Sequence, residues 1–204
     1  MNTCLNSVTL CGTLGTLPAY SHENHGRRFY RFTLEVPRLS GATDALPVVA
    51  AEDVLERMDL DGGENLTVMG QIRTFNNRTG EGRRLIVSVF ASEIIAENAE
   101  PENKVELTGI ICKTPVYRRT PLGREICDVM LAVNRRYHRA DYVPCILWGR
   151  TAQETAAFPV GTRLELHGRL QSRTYMKLTD LGSEERVTYE MSVMEAYLLP
   201  EEET

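Results

Sequence analysis

Asn6-Ser-Val-Thr-Leu-Cys-Gly12 recurs 97 residues later in the chain as Asn103-Lys-Val-Glu-Leu-Thr-Gly109. The same spacing holds without a gap from residues 6–38 to residues 103–135, where 11 of the 33 pairs are identical. Self-similarity over this length indicates a duplicated structural unit. We therefore expect two tandem copies of one fold.

The match continues further along each copy, where residues 66–72 correspond to residues 164–170 at a spacing of 98. Between the copies lies a polar stretch with one proline, which is typical of a short linker. The predicted division of the chain is a first domain at 1–96, a linker at 97–102, a second domain at 103–199 and a short acidic tail at 200–204.

Each copy has the hydrophobic pattern of a small β-barrel. In the second copy, Val129, Leu131 and Val133 alternate with polar residues as in a strand, and Thr151–Phe158 is a short helix candidate that ends before a proline. Three strands, a short helix and two further strands are the order of the OB-fold, a five-stranded Greek-key barrel. We therefore predict an all-β protein of two tandem OB-folds, each with one short helix; a β-sandwich is the alternative.

The net charge of −5 hides an uneven distribution along the chain. Residues 1–102 carry 9 basic and 14 acidic side chains, residues 103–177 carry 13 and 6, and residues 178–204 carry 1 and 8. Phosphate groups respond to the local field because charges are screened over short distances at cellular ionic strength. The second copy therefore has the charge of a nucleic-acid-binding domain.

Several function classes have no support in the sequence. No phosphate-binding loop, metal-ligand cluster or nucleophile–base spacing is present, so we expect no enzyme, no cofactor and no metal. No apolar run is long enough to span a bilayer and the N-terminus does not resemble a signal peptide, so we expect a cytoplasmic protein. The five cysteines form no C-x-x-C pair, and we expect reduced thiols buried in strands.

Four segments of the second copy resemble the bacterial single-stranded DNA-binding protein family, in that family's order and spacing. They are Asn103–Gly109, Leu131-Ala-Val-Asn-Arg-Arg136, Cys145-Ile-Leu-Trp-Gly149 and Leu166-His-Gly-Arg-Leu-Gln-Ser-Arg-Thr-Tyr175. The resemblance implies an OB-fold that oligomerises and wraps single-stranded DNA without strong sequence preference. It also implies association with the bacterial nucleoid.

The family stacks bases on aromatic side chains, and the corresponding positions here hold Tyr137, Tyr142, Trp148 and Tyr175. Strand alternation independently places Tyr142 and Trp148 on one face and Tyr175 on the polar face of its own strand. Stacking tolerates any base, while basic side chains follow the phosphates. The candidate phosphate contacts are Lys113, Arg118, Arg119, Arg124, Arg135, Arg136, Arg150, Arg169, Arg173 and Lys177.

The first copy departs from this pattern at every stacking position. At the corresponding spacings it holds Ser40, Ala45, Ala51 and Asn77, and its helix region at 52–61 is acidic. Some binding capacity remains in residues of its hairpins, namely Arg27, Arg28, Arg31, Arg73, Phe75, Arg78, Arg83 and Arg84. We expect a structural or oligomerising domain with weak DNA contact, because charge without stacking gives mainly salt-sensitive binding.

The predicted function is sequence-tolerant binding and protection of single-stranded DNA in replication, recombination or repair. We expect a homodimer that presents four OB domains, by analogy with the family's tetramers. The family's usual acidic, hydrophobic-ended recruiting tip has no counterpart in the sequence at 200–204, so recruitment of replication or repair proteins by that route is in doubt. The alternatives are a primosome or mobile-element accessory protein, and a protein-interaction module that has lost DNA binding.

Overall fold

The computed structural model describes residues 5–56, 58–77, 85–179 and 182–200, with the backbone alone at 177–179. The first half contains β1 (Asn6–Leu14), β2 (Ala19–Asn24), β3 (Arg27–Pro37), β4 (Thr43–Ala51), α1 (Glu52–Leu55), β5 (Asn65–Asn76) and β6 (Leu85–Ala96). The second half contains β7 (Glu102–Ile111), β8 (Val116–Arg119), β9 (Glu125–Arg135), β10 (Arg139–Trp148), α2 (Gly149–Thr155), β11 (Arg163–Thr179) and β12 (Gly182–Leu198).

Five strands close into a barrel in each half. In the first half, β1 pairs with β3 and β5, β3 with β4, β4 with β6, and β6 with β5. The second half repeats this ring with β7, β9, β10, β12 and β11. The pairings β4–β6 and β10–β12 are parallel and the others antiparallel. The predicted tandem OB-folds are confirmed, each with one short helix after its third barrel strand.

The two barrels share one continuous sheet because β1 pairs antiparallel with β7. Val8 pairs with Val105, its own counterpart in the repeat, and Ser7 and Thr9 pair with Glu106 and Lys104. A strand that meets its own copy in antiparallel register places a pseudo-two-fold axis at the central pair. The repeat in the sequence is therefore a near-symmetric pair of barrels in the structure.

The structure adds one short strand to each predicted half. β2 and β8 pair with β3 and β9 as hairpins outside the rings. The helices are shorter than the sequence suggested, since α1 ends at Leu55 and α2 covers Gly149–Thr155 instead of Thr151–Phe158. Arg78, Arg83, Arg84 and the tail at 201–204 lie outside the described residues.

Two mid-strand glycines lie where the register of the barrel strands shifts. The register of β5 against β6 shifts at Met69/Gly70, and that of β11 against β12 shifts at His167/Gly168. A Cβ atom at Gly168 would overlap the carbonyl oxygen of Ser192, so only glycine allows this close approach of the two strands.

The barrel interiors are filled by aliphatic side chains, with Cys127 and Cys145 among them as free thiols. Burial raises the pKa of both thiols, which keeps them protonated and unreactive. In the part of the chain that the structure describes, neither helix has the length or the apolar composition to cross a membrane.

Candidate nucleic-acid interface

Strand β10 separates its two faces as the sequence predicted. Val143, Cys145 and Leu147 are buried in the second barrel, while Tyr142 is 47% exposed and Trp148 is half-buried on the outer face. Because side chains alternate along a strand, β10 contributes apolar residues to the barrel core and aromatic residues to the barrel surface.

The indole of Trp148 has a fixed orientation. Its Nε1–H donates a hydrogen bond to the Ser192 hydroxyl at 3.0 Å, so the ring lies across the neighbouring strand β12. The polar N–H group of the indole therefore has its hydrogen-bond acceptor within the protein, and the half-buried ring is held beside a groove. A rigid aromatic ring loses little conformational freedom when a base stacks on it.

We call this groove the Trp148 groove; its volume is about 590 Å³. Its wall carries Trp148 and four arginines, namely Arg38, Arg124, Arg169 and Arg173. Arg38 comes from the first half, where it follows β3, and its guanidinium donates to the carbonyl oxygen of Ser172 at 2.9 Å. Both halves therefore build the Trp148 groove.

Tyr175 extends the same surface along β11. It is 38% exposed, and the guanidinium carbon of Arg173 lies 5.9 Å from its ring centroid. Arg173 also lies 3.4 Å from the carboxylate of Glu190, which offsets part of its charge. The pair of Arg173 and Tyr175 has the cation–π geometry expected beside a stacking platform.

Tyr137 lies apart from Trp148, in the turn between β9 and β10. Its ring is 89% exposed and its φ angle of 62° is in the left-handed region. It lines a second groove of about 860 Å³, which we call the Tyr137 groove, together with Arg135, Arg136 and Arg139. Tyr137 and Trp148 therefore line two different grooves.

The Tyr137 groove has its other wall in the first half. Asn6, Gln71 and Arg73 line it from β1 and β5. The Trp148 groove has the same plan with the halves exchanged: Arg38, Ser40, Arg169 and Gln171 are the repeat counterparts of Arg135, Tyr137, Gln71 and Arg73. Each groove combines the outer face of one barrel with the hairpin of the other.

Buried carboxylates hold each hairpin in place. Asp141 accepts the backbone N–H of Thr74 at 2.6 Å, and the Thr74 hydroxyl accepts the backbone N–H of Tyr142 at 2.7 Å. In the mirrored site, Asp44 accepts the backbone N–H of Ser172 at 2.7 Å and the Nε–H of Arg38 at 2.6 Å. These contacts fix Tyr142 at the junction of the two halves.

The ionisation of Asp44 depends on these hydrogen bonds. Burial by itself raises the pKa of this carboxyl group, but the hydrogen bonds from Arg38 and Ser172 hold the pKa below its ordinary value. Asp44 is therefore ionised in the folded protein at neutral pH.

The predicted cations fall into two groups. Arg118, Arg119, Arg135, Arg150 and Arg173 are within ion-pair distance of a carboxylate, at 2.5, 2.9, 3.2, 2.8 and 3.4 Å. Among the residues that the structure describes, Lys113, Arg124, Arg136 and Arg169 have no such partner, and the side chain of Lys177 lies outside the described part. Charge that is not already paired is the more available for phosphate.

The first half pairs two of its hairpin arginines with its acidic helix. Arg27 contacts Asp53 at 2.7 Å and Arg28 contacts Glu52 at 2.9 Å. The acidic helix therefore neutralises part of the positive charge of its hairpin neighbours, which makes these two arginines less available for phosphate.

Two arginines that line the grooves, Arg38 and Arg139, were absent from the predicted DNA contacts. Arg139 ends the basic run that begins at Arg135, and Arg38 is the repeat counterpart of Arg135, so both had a signal in the sequence. Their position in the grooves depends on how the two barrels pack together, and the local sequence pattern carries no information about that packing.

The model of the single-strand binding protein family matches residues 102–199. Over 80 residues the chain is 40% identical to single-stranded DNA-binding protein B of Bacillus subtilis (strain 168), a match that covers 36% of this chain and 71% of that protein. Single-stranded DNA-binding protein 3 of Clostridium acetobutylicum is 36% identical over the same length, with 36% of this chain and 56% of that protein covered.

The fold of the whole chain is similar to that of the wild-type single-stranded DNA binding protein from Thermus aquaticus. The TM-score is 0.80 at 21% sequence identity, and the alignment covers 98% of this chain and 96% of that one. Proteins of the matched family bind DNA and are not enzymes, in agreement with the expectation from the sequence. The chain belongs to the single-strand binding protein family.

Proposed function

We propose that this protein binds single-stranded DNA with little sequence preference, through base stacking on Trp148, Tyr175 and Tyr142 and phosphate contacts from the surrounding arginines. The observation that carries the proposal is the Trp148 groove, in which a fixed, half-buried indole lies beside Arg124 and Arg169. Every base has a π-face, so an aromatic platform flanked by cations accepts any sequence.

The biological role that follows is coverage and protection of single strands exposed during replication, recombination or repair. Membership of the family supports this role, as do the related proteins whose names state single-stranded DNA binding. The same observations do not favour the alternative of an accessory protein that acts mainly through protein partners.

A homodimer with four OB domains is the assembly we propose. The support is the pseudo-two-fold pairing of β1 with β7, which gives each chain two barrels of the kind that family members assemble. Light scattering is expected to give twice the mass of one chain over a range of concentrations, and the mass of a single chain throughout would contradict the dimer.

Fluorescence anisotropy with labelled oligo-dT tests the binding mechanism. The double variant Trp148→Ala/Tyr175→Ala is expected to bind at least about ten-fold more weakly than the wild type, because stacking contributes roughly 1–3 kcal/mol per base. Tyr20→Ala is the matched control, since Tyr20 is an exposed aromatic residue on β2 that lines neither groove. Equal affinity of all three proteins at the same salt concentration would refute the proposed mechanism.

A further inference from the structure

The first half has an aromatic residue close to its lost tryptophan position. Strand pairing shows this: Val49 of β4 pairs with Phe90 of β6, and Ile146 of β10 pairs with Ser192 of β12. Val49 and Ile146 are counterparts in the repeat, so Phe90 occupies the place of Ser192.

The two halves fill this place in complementary ways. In the second half, the Trp148 ring reaches across to Ser192. In the first half, the small Ala51 stands at the tryptophan position and the large side chain projects from the neighbouring strand as Phe90. The first half therefore has an aromatic side chain on the strand next to this position, although the tryptophan position itself holds alanine.

Phe90 belongs to a row of alternating aromatic and cationic side chains on the outer face of β5 and β6. The guanidinium carbon of Arg73 lies 6.0 Å from the Phe90 ring centroid. Phe75, two residues beyond Arg73 on the same face of β5, is 55% exposed. The residue opposite Arg73 is Ser88, where the second half has the carboxylate of Glu190.

This row is continuous with the Tyr137 groove through Arg73. Arg73 and Arg135 lie 3.4 and 3.2 Å from the single carboxylate of Asp141, so these three groups leave one positive charge. Among the described residues, Arg136 and Arg139 have no carboxylate at ion-pair distance. The groove therefore carries a clear excess of positive charge.

We infer that the Tyr137 groove and the Phe90–Arg73–Phe75 row form a second binding site for single-stranded DNA, built mainly on the first half. Phe75 and Tyr137 present exposed rings for bases, and Arg136 and Arg139 face the phosphates. Arg73 lines the Tyr137 groove and links it to Phe90, whose ring centroid lies 6.0 Å from the Arg73 guanidinium carbon. This inference rests on the proposed function and adds to it a second DNA-binding site, separate from the Trp148 groove.

The two sites are distinguishable in one titration because Trp148 is the only tryptophan of the chain. Its fluorescence reports on the Trp148 groove, while the anisotropy of a labelled oligo-dT of about eight nucleotides, within the usual site size of one OB-fold, reports on total binding. The wild type is expected to bind two such oligonucleotides per chain, with the fluorescence of Trp148 responding to one of them.

The variant Phe75→Ala/Tyr137→Ala is expected to lose one of the two oligonucleotides, or to bind it at least about ten-fold more weakly, while the Trp148 response is unchanged. Both side chains are exposed, so the fold is expected to survive, and thermal unfolding checks this. Phe90→Leu keeps the packing against Phe29 but removes the aromatic face, and it is expected to weaken the same binding step. Leu17→Ala removes an exposed apolar side chain outside both grooves and serves as the control.

The possible outcomes distinguish the second binding site from the proposed function. Two oligonucleotides per chain with wild-type affinity in Phe75→Ala/Tyr137→Ala would overturn the second site. A wild type that binds one oligonucleotide, with a full Trp148 response, would overturn the second site and leave the proposed function intact. A wild type that shows neither signal at low salt would overturn the proposed function itself.

Discussion

The buried carboxylate of Asp44, in the first half, accepts a hydrogen bond from the backbone N–H of Ser172, in the second half, at 2.7 Å. The equivalent hydrogen bond also forms with the halves exchanged: Asp141, in the second half, accepts the backbone N–H of Thr74, in the first half, at 2.6 Å. Each half therefore anchors its hairpin on the outer strand of the other. The two grooves exist in their observed shape because of this reciprocal pair.

Replacing Asp44 by alanine is expected to lower the free energy of unfolding by about 3 kcal/mol, because the change leaves Arg38 and the Ser172 N–H without their buried acceptor. Urea unfolding measures the difference. Asp128→Ala is the control: its ion pair with Arg118 is partly exposed, and its loss is expected to cost less than about 1 kcal/mol. Similar losses in the two variants would contradict the anchoring role of Asp44.

Acid is expected to weaken the junction through Asp44. Its pKa in the folded protein is below the ordinary value, so the folded state favours the ionised carboxylate. This stabilisation is complete above the pKa of the unfolded chain and is lost as pH falls through the lower pKa of the folded protein. The free energy of unfolding of the wild type is therefore expected to fall more steeply below about pH 4 than that of Asp44→Asn. Parallel curves, measured by urea unfolding at several pH values, would exclude Asp44 as the cause.

Unpaired arginines are expected to contribute more to DNA binding than paired ones. Arg169 lines the Trp148 groove without a carboxylate partner among the described residues, whereas Arg150 lies 2.8 Å from Glu154. Arg169→Gln is expected to weaken oligo-dT binding several-fold and to reduce the slope of log K against log salt by about 0.7, the value for one phosphate on a single strand. Arg150→Gln serves as the comparison, and an equal or larger change in its slope would show that pairing does not decide which arginines bind.

The sequence predicted the features that depend on local pattern. Alternation of apolar residues along β10 correctly placed Tyr142 and Trp148 on the outer face, opposite Val143, Cys145 and Leu147. This placement follows from the two-residue period of a strand.

The two grooves that combine residues of both halves could not be predicted from the sequence, because they depend on how the two barrels pack against each other. The pairing of Val8 with Val105 brings the β9–β10 hairpin over β5, and no local signal encodes that meeting. Phe90 was missed for a related reason. Its counterpart is Ser192, at a spacing of 102, because the spacing between the copies grows beyond the conserved segments.

The most direct test of the account is the fluorescence of Trp148, the single tryptophan of the chain, during titration with oligo-dT. A base that stacks on the half-buried indole is expected to quench its emission in a saturable way, and rising salt is expected to shift the titration to higher DNA concentrations as phosphate contacts are lost. Emission that stays unchanged by oligo-dT at low salt would contradict base stacking on Trp148 and with it the central claim.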